Sequence, residues 1–391
     1  MLKKYIYIIF ILLILAYSFF GSVGTADVKL RKEWVDLMQT FGLHNGYQMA
    51  RPDYPPLSLM VLFLTAKIDK FTFLDFQQSH HLTLLFFMLL TSFVFYKISK
   101  NLPLSIILFG SLFLLTMVLG YGDIMYASFL LLCLYYLSKR SYLLAGLFYG
   151  ITIFIKWQPL IIFPFLIAFV IDFPKIFTRP NIVRVVLFIA PVILTFLVFF
   201  STFGSEIFLS LSRTTKTHLS YSGNALNLGW VVSYFVQILN KNIINSELRT
   251  VTYLPSNIDD LKVLRLAFYV FYAFAFTKFS LSKKTYKQLI TALLLTTYGY
   301  FVLNSGVHEN HLVLTMILAF IYYPLFKKSY EILTFFILMT NINLLIFYGI
   351  GSGWPWVKPE FVVDYTFLFA LINIFYFISL TAKYIKDLKF N

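Results

Sequence analysis

Apolar residues run along this chain in long blocks, with the polar residues collected between them. A bilayer core about 30 Å thick is crossed by about 20 helical residues. Twelve stretches are candidates for such spans: 4–22, 79–96, 103–120, 123–138, 141–156, 158–173, 182–203, 261–280, 286–304, 311–326, 330–349 and 363–382. Two intervals between them are long, 23–78 and 204–260. Each holds a shorter apolar piece, Pro55–Ile68 and Leu226–Leu239, too short to span comfortably. These are expected to lie in, or dip into, the outer interface. A further amphipathic helix is expected over 28–41, with Val28, Leu30, Trp34, Leu37, Met38 and Phe41 as its apolar positions. The expected fold is therefore all-α: a polytopic membrane protein of about twelve transmembrane helices, forming a single integral membrane domain over residues 1–391. No soluble domain, low-complexity tract or internal repeat stands out.

Composition agrees with the pattern. Apolar residues make up 59% of the chain and charged residues 13%, against about 45–50% and about 25% in soluble domains. The net charge of +15 sits in short clusters between apolar runs, which is the arrangement of topology signals and not of a nucleic-acid surface. Threading the spans alternately from a cytoplasmic N-terminus puts eighteen basic and three acidic residues inside, so the inner side carries the whole net charge. The fourteen bases and fourteen acids left outside cancel. A shift by one span would scramble that asymmetry. Both termini are expected in the cytoplasm, in a multi-pass protein of the plasma (inner) membrane. Lys3-Lys4, the apolar stretch to Phe20 and the small residues after it would also suit a cleaved signal peptide. An uncleaved first span is preferred, because chemistry-bearing residues follow it directly. The single cysteine, Cys133, excludes a disulfide framework.

The candidate chemistry collects outside. Polar groups at or inside a membrane are costly, so each is a functional candidate. Asp27 follows the first span beside Arg31 and Lys32; it could be a general base held ionised by those cations, or the N-cap of the helix it opens. Asp53 and Tyr54 precede Pro55-Pro56, either as a rigid loop ahead of a helix or as a carboxylate and phenol facing a cavity. Asp123 closes the tight turn Gly120-Tyr121-Gly122. Lys156 and Gln158 flank Trp157 at an outer boundary, as a snorkelling lysine or as a phosphate contact. Arg213, Lys216 and His218 lie in a basic, hydroxyl-rich segment that continues to Asn224; it is a solvated loop or a seat for an anionic headgroup. His308, Glu309 and His311 stand at the mouth of span ten. Their spacing is not that of a zinc helix and no third ligand is evident, so no metal is expected. Gly353-Trp354-Pro355-Trp356 is an outer aromatic loop, an anchor belt or a stacking surface.

These residues resemble the GT-C glycosyltransferases, polytopic enzymes that take a sugar from a polyprenyl-phosphate donor. Asp27 matches the position of their catalytic carboxylate. Asp53-Tyr54-Pro55-Pro56-Leu57 is similar to the Asp-Tyr-Pro-Pro-Leu motif of the dolichyl-phosphate-glucose-dependent members, and to the Tyr-Thr-Pro-Leu stretch of the first GPI mannosyltransferase. Arg213 to Ser220 loosely resembles the Arg-x-x-x-Arg-His-Asn-Phe-Ser loop of that mannosyltransferase, with His218 on its histidine and Lys216 near its second arginine. Val307-His308-Glu309 looks like the Val-His-Glu of the glucosyltransferases, and Lys156-Trp157-Gln158-Pro159 like the Lys-x-x-Pro at the outer end of a span in many bacterial relatives; the likeness as a whole is to the first GPI mannosyltransferase and to bacterial polyprenol-phosphate-mannose mannosyltransferases. The Arg-His-Asn-Phe-Ser loop is only partly kept, and the Asp-x-Asp of the oligosaccharyltransferase branch is absent after span one. The resemblance implies a GT-C-like fold and inverting transfer of a hexose to an extracytoplasmic lipid or glycan acceptor. Asp27 is then the general base, no cofactor or metal is implied, and Lys156, Arg213, Lys216, His218 and His308 hold the departing phosphate. Membrane lipids are the expected surroundings, and nucleic acid is not a partner. A polymerase or ligase of lipid-linked glycans is the nearest alternative; a transporter would need ionisable residues deep in the spans and inverted repeats.

Overall fold

The computed structural model describes residues 14, 17, 24–69, 74–171, 178–216, 220–239, 258–326, 329–349 and 365–387. Most of the expected first span, His218 and the Trp354–Trp356 loop lie outside them. Among the described residues the chain is helical, without strands; one isolated parallel bridge joins Gly223 to His308.

The helices follow the apolar blocks. In chain order they are α1 (Ala26–Phe41), α2 (Leu43–Ala50), α3 (Pro56–Asp69), α4 (Phe76–Ser99), α5 (Leu102–Ser111), α6 (Ile124–Ser138), α7 (Tyr142–Ile155) and α8 (Phe163–Val170). Then come α9 (Arg179–Phe203), α10 (Glu206–Lys216), α11 (Leu228–Leu239), α12 (Ile258–Leu281), α13 (Tyr286–Leu303), α14 (Leu312–Leu325), α15 (Tyr330–Tyr348) and α16 (Tyr365–Asp387). Local chemistry sets several ends. Asp75 and Gln78 close a reciprocal capping box at the start of α4, and Thr285 and Gln288 do the same for α13. The Asn101 side chain accepts from the Leu104 N–H ahead of α5, where Pro103 needs no donor of its own.

Among the described residues five helices are long and apolar enough to cross a membrane: Phe76–Ser99, Arg179–Phe203, Leu261–Leu281, Tyr330–Tyr348 and Tyr365–Lys386. Of the other expected spans, the one over 286–304 forms the 18-residue α13, and several form shorter elements, among them α6, α7 and α14. Fourteen residues, the length of α7 and α14, reach about 21 Å at 1.5 Å per residue. Burial compensates for that shortness in α14, where every residue from Leu312 to Tyr322 is buried. The long helices instead display large apolar side chains outward, such as Ile193, Leu194, Leu197 and Val198 on α9 and Leu368, Phe375 and Ile378 on α16. A band of that kind suits a lipid solvent.

The chain folds as two compact units. One comprises residues 1–157, 188–214 and 348–354; the other comprises 158–187, 215–347 and 355–391.

Three local expectations change. The helix expected over 28–41 begins at Ala26, with Thr25 as its N-cap residue, so Asp27 is a first-turn residue and not the cap. Its buried face is Val28, Arg31, Trp34, Val35 and Met38, whereas Leu30 and Phe41 are exposed. The segment around Arg213 is the end of helix α10, not a loop. The short apolar pieces do become helices, α3 and α11, as expected.

Candidate functional site

In the first unit the site is built on a turn. After α5 the backbone winds more widely over Leu114–Val118, as a π-helix. Such widened turns expose carbonyls and recur at functional sites. Here the Leu119 carbonyl accepts from the Thr25 N–H (3.1 Å), docking the start of α1. The approach is close. Gly24 and Gly120 both have positive φ, +76° and +70°, and a Cβ on either would stand 2.6 Å from Val28 Cγ2. Only glycine fits both the backbone and the space.

Arg31 is the hub of this unit. It is 3% exposed, and its Nη1 donates to the Gly120 carbonyl at 2.6 Å. That oxygen also lies 3.1 Å from His80 Nε2. Arg31 Nη2 reaches the Tyr54 hydroxyl (3.4 Å) and Asp27 Oδ2 (3.6 Å). Burial works against the guanidinium charge, but Tyr54 and then Asp27 outweigh it and push the pKa above its ordinary value. Asp27 itself is the open edge of the cluster, its side chain 43% exposed.

The second pair is Lys156 with Asp123, an ion pair with both side chains buried. Lys156 therefore does not snorkel. Asp123 stands at the N-cap position of α6 without capping it; its carboxylate faces the lysine instead. Tyr54 lies between the two pairs: Arg31 and Lys156 stand 5.4 and 5.8 Å from its ring centroid. Burial raises the Tyr54 pKa, and the two cations only partly oppose that, so the phenol is protonated at neutral pH.

The loop that carries Asp53 and Tyr54 is held by its carbonyls. Arg213 Nε donates to the Pro52 oxygen (3.0 Å), Thr214 Oγ1 to the Asp53 oxygen, and Ser210 Oγ (2.9 Å) and Tyr47 OH (2.7 Å) to the Tyr54 oxygen. Trp157 Nε1 in turn donates to Ser210 Oγ (3.2 Å). Three of these donors come from one face of α10. Arg213 is also paired with Glu206 one helical stretch back (3.3 Å).

The second unit holds the other candidates. The segment 220–227 zips onto the segment 304–309. Gly306 N–H donates to the Ser220 carbonyl (2.9 Å), Gly223 N–H to the Val307 carbonyl (2.8 Å) and Glu309 N–H to the Gly223 carbonyl (3.2 Å). The His308 ring rests on Gly223, where a Cβ would meet it at 2.7 Å. His308 Nδ1 is 3.8 Å from Glu309 Oε2, and Glu309 is buried. The His308 N–H donates to His311 Nδ1 (3.2 Å), and Gln158 Nε2 donates to the His311 carbonyl (2.8 Å). Beneath this, buried asparagines grip the backbone. Asn343 accepts from the Leu226 N–H (2.8 Å) and donates to the Asn224 carbonyl (3.1 Å), while Asn373 donates to the Leu226 carbonyl (2.7 Å). Asn227 donates to the Phe301 carbonyl (3.0 Å). Among the described residues no three His, Cys, Asp or Glu side chains gather as a metal site.

The structure thus brings Asp27, Tyr54, Asp123 and Lys156 together in one unit, with Asp53 and Arg213 on the adjoining loop and clamp. It brings Asn224, Gln158, His308, Glu309 and His311 together in the other. Lys216 closes α10. Charge-based reading passes over Arg31 as a hub, and over Asn343 and Asn373, which carry no charge at all. An amide deep in an apolar helix is nevertheless a legible signal, because it must find a partner there.

No protein-family model matches the chain, and neither does any curated protein.

Proposed function

We propose that this protein is a membrane glycosyltransferase of GT-C type, with about twelve spans, both termini cytoplasmic and its site outside. It moves a hexose, with mannose one candidate, from a polyprenyl-phosphate donor to a lipid or glycan acceptor. Asp27 is the general base. The observation that carries this is the environment of Asp27: a half-exposed carboxylate on the rim of an otherwise buried cluster, 3.6 Å from a buried arginine that is itself fixed by a backbone carbonyl. A base must reach an acceptor hydroxyl from a fixed position, and a carboxylate exposed at the rim beside an anchored cation can do so.

The sidedness is supported by contacts within each unit, which join residues assigned to the same side. On the expected inner side, Lys284 Nζ donates to the Ile171 carbonyl (2.8 Å) and Lys287 lies over the Phe326 ring (5.5 Å). On the expected outer side lie the Arg31–Gly120 and Gly223–Val307 bonds described above. In the transfer step, Asp27 takes the proton of the acceptor hydroxyl as its oxygen bonds to the anomeric carbon. The bond from that carbon to the phosphate oxygen breaks, and the polyprenyl phosphate leaves with the electron pair.

Transport is a second reading, favoured by one observation, the buried Lys156–Asp123 pair at two helix ends. The deciding experiment is sugar transfer from a panel of polyprenyl-phosphate sugars into membranes containing wild type or Asp27→Asn. Transfer by wild type and loss of at least about 100-fold in the variant is expected for a removed base. Full activity in the variant removes the base assignment. Consumption of no donor by wild type removes the transferase reading.

A further inference from the structure

Four cations of the expected outer layer are buried or half-buried among the described residues: Arg31, Lys156, Arg213 and Arg265. The first three each face a carboxylate, Asp27, Asp123 and Glu206 respectively. Arg265 does not. Its Nε donates to the Ser305 hydroxyl at 3.0 Å, and no carboxylate pairs with it among the described residues. A neutral hydroxyl fixes the guanidinium without neutralising it, and it occupies only one of five N–H donors. A partly desolvated charge left so is costly unless an anion completes it.

Its surroundings are those of a binding site. Arg265 is on the outer end of α12, where Leu261 and Leu264 pack on Tyr221, beside the segment 220–227. Ser305 is in the loop that zips to that segment and carries His308 three residues on. The only acid of the loop, Glu309, faces His308. In the same loop the Asn304 Oδ1 atom is buried without a protein partner, so the mouth holds polar capacity that its own side chains leave unused.

We propose that Arg265, held by Ser305, is the phosphate-binding residue of the second unit, and that its ligand is the phosphate of a lipid-linked phosphoester. A guanidinium anchored through Nε presents its two Nη groups as a fork, the geometry that matches two phosphate oxygens. This inference rests on the proposed function for the identity of the lipid, a polyprenyl phosphate. Lys156 and Arg213 are each already matched by a carboxylate.

The test uses full-length protein in phosphate-free maltoside micelles, with farnesyl phosphate, farnesol and inorganic phosphate as titrants in a calorimeter. Arg265→Gln is expected to weaken farnesyl phosphate by about 10- to 100-fold, the range for a charged hydrogen-bonded contact, and to leave farnesol unchanged. Wild-type affinity for farnesyl phosphate in Arg265→Gln overturns the proposal. Should that variant not fold, Arg265→Lys decides, because a lysine cannot keep both the Ser305 bond and a forked contact: a several-fold loss is expected, and no loss overturns it. Inorganic phosphate binding as tightly as farnesyl phosphate overturns the lipid-linked assignment. The same samples are assayed for sugar transfer. Binding through Arg265 with no transfer from any donor removes the enzymatic reading and leaves this site standing; transfer with unchanged Arg265→Gln binding does the reverse.

Discussion

The two units solve the same problem, polar groups in an apolar bundle, by different means. In the first, buried cations are matched one to one with carboxylates: Arg31 with Asp27, Lys156 with Asp123, Arg213 with Glu206. In the second, the buried polar side chains are mostly amides and hydroxyls, Asn227, Asn343, Asn373 and Ser305, and they bind backbone, the Tyr298 hydroxyl or a single guanidinium. A matched set of charges is electrically closed. It fixes the position of a base while offering an incoming anion little net attraction. Amides and hydroxyls carry no charge, so an arginine held by a hydroxyl keeps its field for a ligand. On the two proposals above, the general base belongs to the closed set of the first unit and the anion-binding arginine to the second.

Breaking a matched pair should produce the largest effect. Lys156→Ala leaves the Asp123 carboxylate buried and alone, and a loss of about 3–5 kcal/mol of stability is expected. Thermal unfolding of the purified protein in micelles measures it. Replacing both partners, Lys156→Met with Asp123→Leu, should recover most of that loss, because two apolar groups strand no charge. If the double variant is as unstable as the single one, the pair is not closed in the sense argued.

Breaking the amide lattice should cost a comparable amount without leaving a charge behind. Asn343→Leu strands the Leu226 N–H and the Asn224 carbonyl, and each unsatisfied buried group costs about 1–3 kcal/mol. No ion is left behind, so the loss should be insensitive to salt, as that of Lys156→Ala need not be. Unfolding midpoints at two salt concentrations separate the cases. A salt-dependent Asn343→Leu defect would erase the distinction between the units.

Much of this was open to inspection in the chain itself, for identifiable reasons. Helix positions follow from runs of apolar residues, and sidedness expectations follow from lysines and arginines, because both depend on residue type alone. The grouping of Tyr54 with Lys156 and Asp123 depends on the π-wound turn after Leu114, and its cause is not local to any of the three. In the sequence Arg31 stands out only as a cation beside Asp27; its burial follows from the docking of α1 against the turn, which the glycines at 24 and 120 allow. Arg213 reads as an anion seat because its partners, the Pro52 carbonyl and Glu206, are a backbone atom and a residue seven positions back. Arg265 has no distinguishing neighbours in the sequence, and its role emerges only from the pairing of the other buried cations.

The clamp on the Asp53–Tyr54 loop sharpens the comparison further. Arg213→Gln removes the Pro52 bond and leaves Glu206, a mostly buried acid, without its arginine; about 1–3 kcal/mol is expected. If Arg213 belongs to the closed set, farnesyl phosphate affinity should stay within about 2-fold of wild type, since no charged contact to the probe is lost. A drop as large as that expected for Arg265→Gln would move the anion site into the first unit.

The smallest effect is a pH dependence, and its sign follows from the two tyrosines of that loop's surroundings. Tyr47 and Tyr54 both have pKa values raised chiefly by burial. A group whose folded pKa lies above its unfolded value contributes stability that is intact below the unfolded pKa, about 10 for tyrosine, and is lost as pH rises through the folded value. Stability in micelles should therefore not vary through these groups between about pH 7 and 9, and should decline above about 10. Tyr47→Phe with Tyr54→Phe should flatten the alkaline decline while lowering the plateau, because the Tyr47 bond to the Tyr54 carbonyl and the Arg31 contact are lost. An alkaline decline of unchanged steepness in the double variant would mean that the phenols are not held in their neutral form by the fold, and that the closed character of the first unit rests on its ion pairs alone.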